Sequence, residues 1–306
     1  MSEPVINVHG LRKSYGDHEV VRGIDLEVAR GEVFAFLGPN GAGKTTTVEI
    51  LEGYRSRDAG EVSVLSDDPA TADRRWRTRV GLVLQLCTMP AELTVRELVE
   101  LYAGYYPRPR PATETIELVG LTEQCDARTR ALSGGQLRRL DVALALVGDP
   151  ELVFLDEPTT GFDPVARHHA WEVIASLRDL GKTIFLTTHY MDEAQALADR
   201  VAVIVAGEIV AEGTPETLGG RDRAMSDISF ALPAGTALCE LPDELSSVAR
   251  LSNGRVHIDA LEPARLLYAL TRWALEHDQD LGELTVARPT LEDVYLQLID
   301  AKERSR

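Results

Sequence analysis

An apolar run ending in a glycine-rich turn constrains this chain more than any other feature. Val33-Phe34-Ala35-Phe36-Leu37 suits a buried strand. Gly38-Pro39-Asn40-Gly41-Ala42-Gly43 follows and can only be a loop, and Thr45 to Glu52 then reads as a helix. Gly38 to Thr45 satisfies the pattern glycine, any four residues, glycine, lysine, then serine or threonine. The glycines let backbone N–H groups turn inward around phosphate oxygens, and the helix aims its N-terminus at the same anion. Lys44 is placed to reach the β- and γ-phosphates and Thr45 to hold Mg²⁺, with Thr46 beside them in the same turn. Of 32 basic residues only four are lysine (Lys13, Lys44, Lys182 and Lys302), so a lysine falling inside this pattern argues against coincidence.

Strand and helix patterns alternate around that loop. Residues 5–8, 24–28, 80–84, 151–155, 183–187 and 201–205 read as strands, with 208–211 as a hairpin partner of the last. Residues 136–147, 166–180 and 191–199 read as helices, and 74–131 as mostly helical, broken at Pro90 and at Pro107–Pro111. This alternation predicts an α/β fold with a largely parallel sheet covered on both faces. After about Gly220 the pattern changes: strands over 227–232, 255–259 and 283–287 and helices over 263–277 and 290–299 predict a small α/β appendage. The expected division is residues 1–220, with a helical subdomain over about 86–150, and a C-terminal accessory domain over 221–306.

Composition narrows the function classes. With 32 basic and 49 acidic residues the formal charge is −17, unfavourable for gripping a nucleic-acid backbone, so no nucleic-acid partner is expected. Cys87, Cys125 and Cys239 are isolated and fit neither a metal spacing nor a disulfide framework. The N-terminus lacks a signal-peptide pattern, and no run approaches the roughly 18–20 apolar residues that cross a bilayer. Work at a membrane would require another polypeptide to do the spanning.

Two further motifs carry chemistry. Leu152-Val153-Phe154-Leu155-Asp156-Glu157 is an apolar strand ending in two carboxylates that strand alternation points to different faces. Asp156 can then support Mg²⁺ while Glu157 acts as general base on an attacking water. Leu132-Ser133-Gly134-Gly135-Gln136 opens the helix that follows it, making a second anion site. One nucleotide needs only one phosphate loop. Two copies facing head to tail account for the second turn, each covering the γ-phosphate held by the other chain.

In this order and spacing, Gly38–Thr45, Leu132–Gln136 and Leu152–Glu157 resemble the nucleotide-binding domain of ABC (ATP-binding cassette) transporters, over about residues 4–220. The resemblance implies a P-loop NTPase cassette, with a mixed sheet core and a helical subdomain, that binds ATP and Mg²⁺ and hydrolyses ATP. It further implies that Tyr15 stacks on adenine, that Gln85 touches Mg²⁺ or water and links the site to a membrane subunit, and that Asp163 lies at the dimer seam. His189 would contact the γ-phosphate and orient the water. Thr160 and Phe162 replace the Ser and Leu usual in the seam loop, and Gln195 stands where Glu is common; none of the three handles phosphate.

Residues 49–55, 159–164 and 188–194 and the tail Pro289-Thr290-Leu291-Glu292-Asp293-Val294-Tyr295 look like the daunorubicin-resistance type of exporter ATPase. That implies export of a drug, antibiotic or lipid-like substrate through a separate integral membrane permease, by a homodimer on the cytoplasmic face of the membrane. The alternatives are a soluble ABC ATPase acting on ribosomes or DNA, an importer ATPase, and a non-enzymatic regulatory cassette.

Overall fold

The computed structural model describes residues 3–83, 89–233, 236–252 and 254–304. The chain divides into two compact units, Met1–Pro215 and Glu216–Ser305.

In the first unit the elements run β1 (Ile6–Tyr15), β2 (His18–Val28), β3 (Val33–Leu37), α1 (Lys44–Leu51), β4 (Ala59–Val64), α2 (Arg74–Arg77), β5 (Val80–Val83), α3 (Val95–Ala103) and α4 (Ala112–Leu118). They continue with α5 (Gly134–Leu146), β6 (Leu152–Asp156), α6 (Pro164–Asp179), β7 (Thr183–Thr188), α7 (Met191–Leu197), β8 (Arg200–Val205) and β9 (Glu208–Gly213). Two sheets form. A six-stranded sheet has the order β5-β6-β7-β3-β8-β9, parallel except for the β8–β9 hairpin, and an antiparallel sheet has the order β2-β1-β4.

Alternation along the central strands sorts the core onto the two faces of the larger sheet. Phe34 and Phe36 of β3, Phe154 of β6 and Phe185 of β7 join one cluster together with the antiparallel sheet. Val33, Val153, Leu155, Ile184 and Leu186 point the other way, into a cluster with α3, α4 and α5. Phe185 is the hub of the first cluster, with ring centroids 5.6 Å from Phe34, 5.7 Å from Phe36 and 5.6 Å from Phe154.

Two stretches differ from the sequence expectation, the first for a physical reason. The strands read at 5–8 and 24–28 are the ends of β1 and β2, ten and eleven residues long. Their hairpin carries register shifts between Val8 and Leu11 and between Lys13 and Ser14, which break the alternation that marks a strand. The stretch read as mostly helical, 74–131, contains only the short helices α2, α3 and α4 and single 3₁₀ turns, and the strand read at 80–84 is present as β5.

The second unit holds β10 (Ser226–Ala231), α8 (Asp243–Ser246), β11 (Arg250–Ser252), β12 (Arg255–Ala260), α9 (Pro263–Glu276), β13 (Thr285–Ala287) and α10 (Leu291–Arg304). Its antiparallel sheet has the order β11-β12-β10-β13. Ile228, Phe230, Val256 and Ile258 pack against Leu270, Trp273 and Ala274 of α9, so this unit has its own core.

Candidate functional site

The parallel strands β6, β7 and β3 are neighbours, so their carboxyl ends deliver the loops after Leu37, Asp156 and Thr188 to one edge of the sheet. Ligands of open α/β sheets bind at such an edge.

Between β3 and α1 the glycines are required by shape. A Cβ on Gly38 would lie 2.4 Å from the Ile204 carbonyl oxygen, and one on Gly43 would lie 2.8 Å from that of Val20. Gly41 and Gly43 also have φ of +79° and +105°, in the region that favours glycine. The first α1 amide to find a helical acceptor is Thr47 N–H, on Gly43 O at 3.0 Å. The amides of Lys44, Thr45 and Thr46 are therefore orphan donors at the helix start, the arrangement that binds anions. Lys44 is buried and curls over the turn, its Nζ donating to Gly38 O at 2.8 Å and Pro39 O at 3.2 Å. Burial pushes its pKa down, opposed by the Glu157 and Asp156 carboxylates, and Glu157 Oε1 lies 3.8 Å from Nζ.

Thr187, near the end of β7, ties the two carboxylate residues together. Its hydroxyl donates to Asp156 Oδ1 at 2.5 Å and accepts from Glu157 N–H at 3.0 Å. Glu157 has φ of +46°, a left-handed conformation that costs a non-glycine residue of order 1 kcal/mol and clusters at functional sites. The twist aims its carboxylate between three groups: Lys44, the Thr160 hydroxyl donating to Oε2 at 3.1 Å, and His189 Nδ1, 3.4 Å from the same oxygen. His189 Nδ1 is buried with no hydrogen-bond partner among the described residues. A polar atom in that state requires a partner that a bound substrate or water can provide.

The remaining expected residues are distributed as follows. Tyr15 ends β1 and is partly exposed, with the Arg55 guanidinium 5.3 Å and the Lys13 ammonium 5.9 Å from its ring centroid. Asp163 caps α6, accepting from Val165 N–H and Ala166 N–H, each at 2.9 Å. Ser133 and Gln136 form a capping box on α5, with Gln136 N–H to Ser133 Oγ at 3.3 Å and Ser133 N–H to Gln136 Oε1 at 2.8 Å. Ser133 and Gly134 face solvent, and among the described residues no hydrogen bond or ion pair joins Ser133–Gln136 to the phosphate loop. Gln85 lies outside the described residues.

Sequence reading missed the residues that brace this edge. Arg138 of α5 donates to Asp156 O and Pro158 O, each at 3.1 Å, and to Asp141 at 2.9 Å, tying the helix that Ser133 caps to the carboxylate loop. Glu193 of α7 is fully buried; Oε1 accepts from Thr159 Oγ1 at 2.8 Å and Trp171 Nε1 at 3.3 Å, and burial raises its pKa. It joins the segment after Glu157 to the helix after His189. The signal for Thr187 was a hydroxyl breaking an apolar strand; nothing comparable marked Arg138 or Glu193.

Among the described residues no cluster of three or more His, Cys, Asp or Glu could hold a metal ion by itself. Mg²⁺ keeps several waters and uses one or two protein oxygens plus substrate phosphates, so Thr45 in the turn of orphan amides and Asp156, whose charge acts on Lys44, fit it. No helix among the described residues is long and apolar enough to cross a membrane.

Comparison with known proteins places this geometry in a broad group. Residues 21–160 match the family model described as ABC transporter, and residues 226–290 match ABC transporter domain-containing protein-like, C-terminal domain. The chain is 38% identical over 309 residues to Nod factor export ATP-binding protein I of Ralstonia nicotianae, covering 99% of this chain and 96% of that protein. It is 38% identical over 308 residues to daunorubicin resistance ATP-binding protein DrrA3 of Streptomyces coeruleorubidus, covering 97% and 96%. A solved ATP-binding subunit of an ABC transporter superposes with a TM-score of 0.62 at 26% identity, covering 69% of this chain and 90% of that one. A dimeric ATP-binding cassette solved in a post-hydrolysis state with ADP and Pi shares the fold, with a TM-score of 0.60 at 24% identity, covering 68% and 98%.

Proposed function

This chain belongs to the family of ABC transporter ATP-binding subunits, and we propose that it hydrolyses ATP to drive export of a drug, antibiotic or lipid-like molecule through a separate membrane permease. The observation that carries the chemistry is the convergence of Lys44, Asp156, Glu157, Thr187 and His189 on one sheet edge. The export direction rests on the two relatives, one named for Nod factor export and one for daunorubicin resistance.

The Gly38–Thr46 turn holds the β- and γ-phosphates through its amides, and Lys44 exchanges its carbonyl partners for phosphate oxygens. Thr45 and Asp156 would hold Mg²⁺, which would supply neutralisation of the phosphate charge. Glu157 accepts a proton from the water as the water's oxygen bonds to the γ-phosphorus and the bond to the β-phosphate oxygen breaks, giving ADP and phosphate. His189 orients that water, and Tyr15 stacks on the adenine. Ser133–Gln136, of which Ser133 and Gly134 face solvent on their own chain, cover the γ-phosphate held by a second copy in a head-to-tail homodimer, with Asp163 at the seam. Residues 221–306 serve as an accessory domain. The assembly sits on the cytoplasmic face of the membrane against the permease.

Glu157→Gln is expected to bind ATP as the wild type does while phosphate release falls by about 10²–10⁴-fold, the usual contribution of a general base. A phosphate-release assay alongside nucleotide titration reads both. Wild-type turnover in the variant would remove Glu157 from its role, and no turnover in the wild-type chain would remove the enzyme reading itself.

A further inference from the structure

The proposed reaction needs the His189 imidazole held in one orientation, yet neither of its ring nitrogens makes a hydrogen bond among the described residues. Glu157 Oε2 comes within 3.4 Å of Nδ1 without supplying one. A functional histidine ordinarily has its ring fixed by the hydrogen bond of its second nitrogen. Here a ring contact takes that place. The centroids of His189 and Tyr190 are 4.1 Å apart, with an interplanar angle of 39°. Side chains of consecutive residues point apart along a strand. These two lie in the turn between the end of β7 at Thr188 and the start of α7 at Met191, where the chain leaves strand geometry. Tyr190 N–H donates to Thr188 Oγ1 at 2.9 Å and closes that turn.

Tyr190 is itself held from α6. The Arg167 guanidinium carbon lies 4.4 Å from the Tyr190 ring centroid, well inside cation–π reach. Arg167 Nε is buried with no hydrogen-bond partner among the described residues, which suits a guanidinium that packs on a ring rather than turning to an acceptor. Arg167 is anchored twice more. Its backbone N–H donates to Asp163 O at 3.0 Å, in the first turn of the helix that Asp163 caps, and Nη1 donates to Asp192 Oδ2 at 3.0 Å. The Tyr190 hydroxyl has no hydrogen bond among the described residues, so the stack uses the ring and not the phenol oxygen.

We propose that Arg167 and Tyr190 are positioning residues for ATP hydrolysis. The guanidinium fixes the Tyr190 ring, and the ring fixes the imidazole of His189, which orients the attacking water. The proposal rests on the ATPase reading above and names the groups that set the geometry of its histidine. Neither residue has a nucleotide contact in that reading, so ATP binding and turnover separate when the stack is broken.

The test joins steady-state kinetics to a magnetic-resonance signal from the full chain labelled with ¹³C-histidine. The His189 signal is the one lost in His189→Gln. Tyr190→Leu is expected to shift that signal, by loss of the neighbouring ring current, and to lower kcat about 10- to 100-fold with KM for ATP within about twofold of wild type. Tyr190→Phe keeps the ring and is expected to restore the signal and at least about half of wild-type turnover. Arg167→Ala is expected to shift the signal and lower kcat in the same sense, and Arg167→Lys, which keeps a cation, to recover part of both. Asp192→Asn removes only the ion pair between α6 and α7 and is expected to leave kcat within about threefold of wild type. In a His189→Ala background, Tyr190→Leu is expected to cost nothing further, since both act through one imidazole. An unmoved signal or an unchanged kcat in Tyr190→Leu overturns the assignment. So does a loss of ATP affinity that matches the loss of kcat, because a collapsed site gives that result. A fall in Asp192→Asn equal to that in Arg167→Ala would reduce Arg167 to an inter-helix ion pair and overturn its part. A wild-type chain without turnover would remove the ATPase reading, whereas the His189 signal reports the stack without any turnover.

Discussion

Lys44 and Glu52 bracket one short helix and are both buried, but their charges are handled differently. Lys44 has carbonyls and two carboxylates around it, so its ammonium is compensated where phosphate would bind. Lys44→Ala removes a charge-assisted contact of about 1.5–3 kcal/mol, and ATP affinity is expected to fall roughly 10–100-fold in a direct binding titration. Burial acts on Glu52 first, and the charges of Asp156 and Glu49 add to it. An unfolded glutamate ionises near 4.5, whereas the folded one holds its proton to about 8. The stability conferred by that retained proton is complete below about pH 4.5 and is lost as pH rises to about 8. Glu52→Gln carries no titrating proton there. Its stability relative to wild type is expected to rise from about pH 5 to about pH 8, by at most about 1.4 kcal/mol per pH unit, read as urea midpoints in the absence of permease.

Among the secondary-structure elements, α5 has two duties that mutation can separate. Its capping box satisfies orphan amides of its own first turn, while the proposed dimer presents the same turn to another chain's nucleotide. Ser133→Ala is expected to cost about 1 kcal/mol by loss of the cap. Ser133→Asp keeps a good cap but sets a carboxylate against the γ-phosphate. Thermal unfolding near wild type together with ATP hydrolysis reduced at least about tenfold in Ser133→Asp would separate the seam role from the cap; hydrolysis equal to wild type would reduce Ser133 to a cap alone.

For the molecule as a whole, charge and assembly oppose each other. Each copy carries a formal −17, so two copies repel, and nucleotide adds more negative charge. Under ATP and Mg²⁺ the Glu157→Gln chain, which retains its triphosphate, is expected to dimerise, and the dimer fraction to rise as salt goes from about 50 to about 200 mM and screening shortens the Debye length. Light scattering checks this; a monomer at every salt concentration with nucleotide bound would count against the head-to-tail pairing.

Local sequence was enough to determine the glycine turn between β3 and α1, the strand ending in Asp156 and Glu157, and the capped start of α5. Each depends on neighbours in the chain: glycines that tolerate positive φ, an apolar run that must be buried, a serine three residues before a glutamine. What only the tertiary structure decided is what lies opposite each group. Thr187 reaches Asp156 across 31 positions and Glu193 reaches Thr159 across 34. Asp141 turns to Arg138, whereas Glu52, on the wall of a cleft that Asp141 also lines, has no hydrogen-bond or ion-pair partner among the described residues. Such pairings are set by strand order and by which faces pack together. Those are properties of the folded sheet, and a linear spacing rule does not contain them.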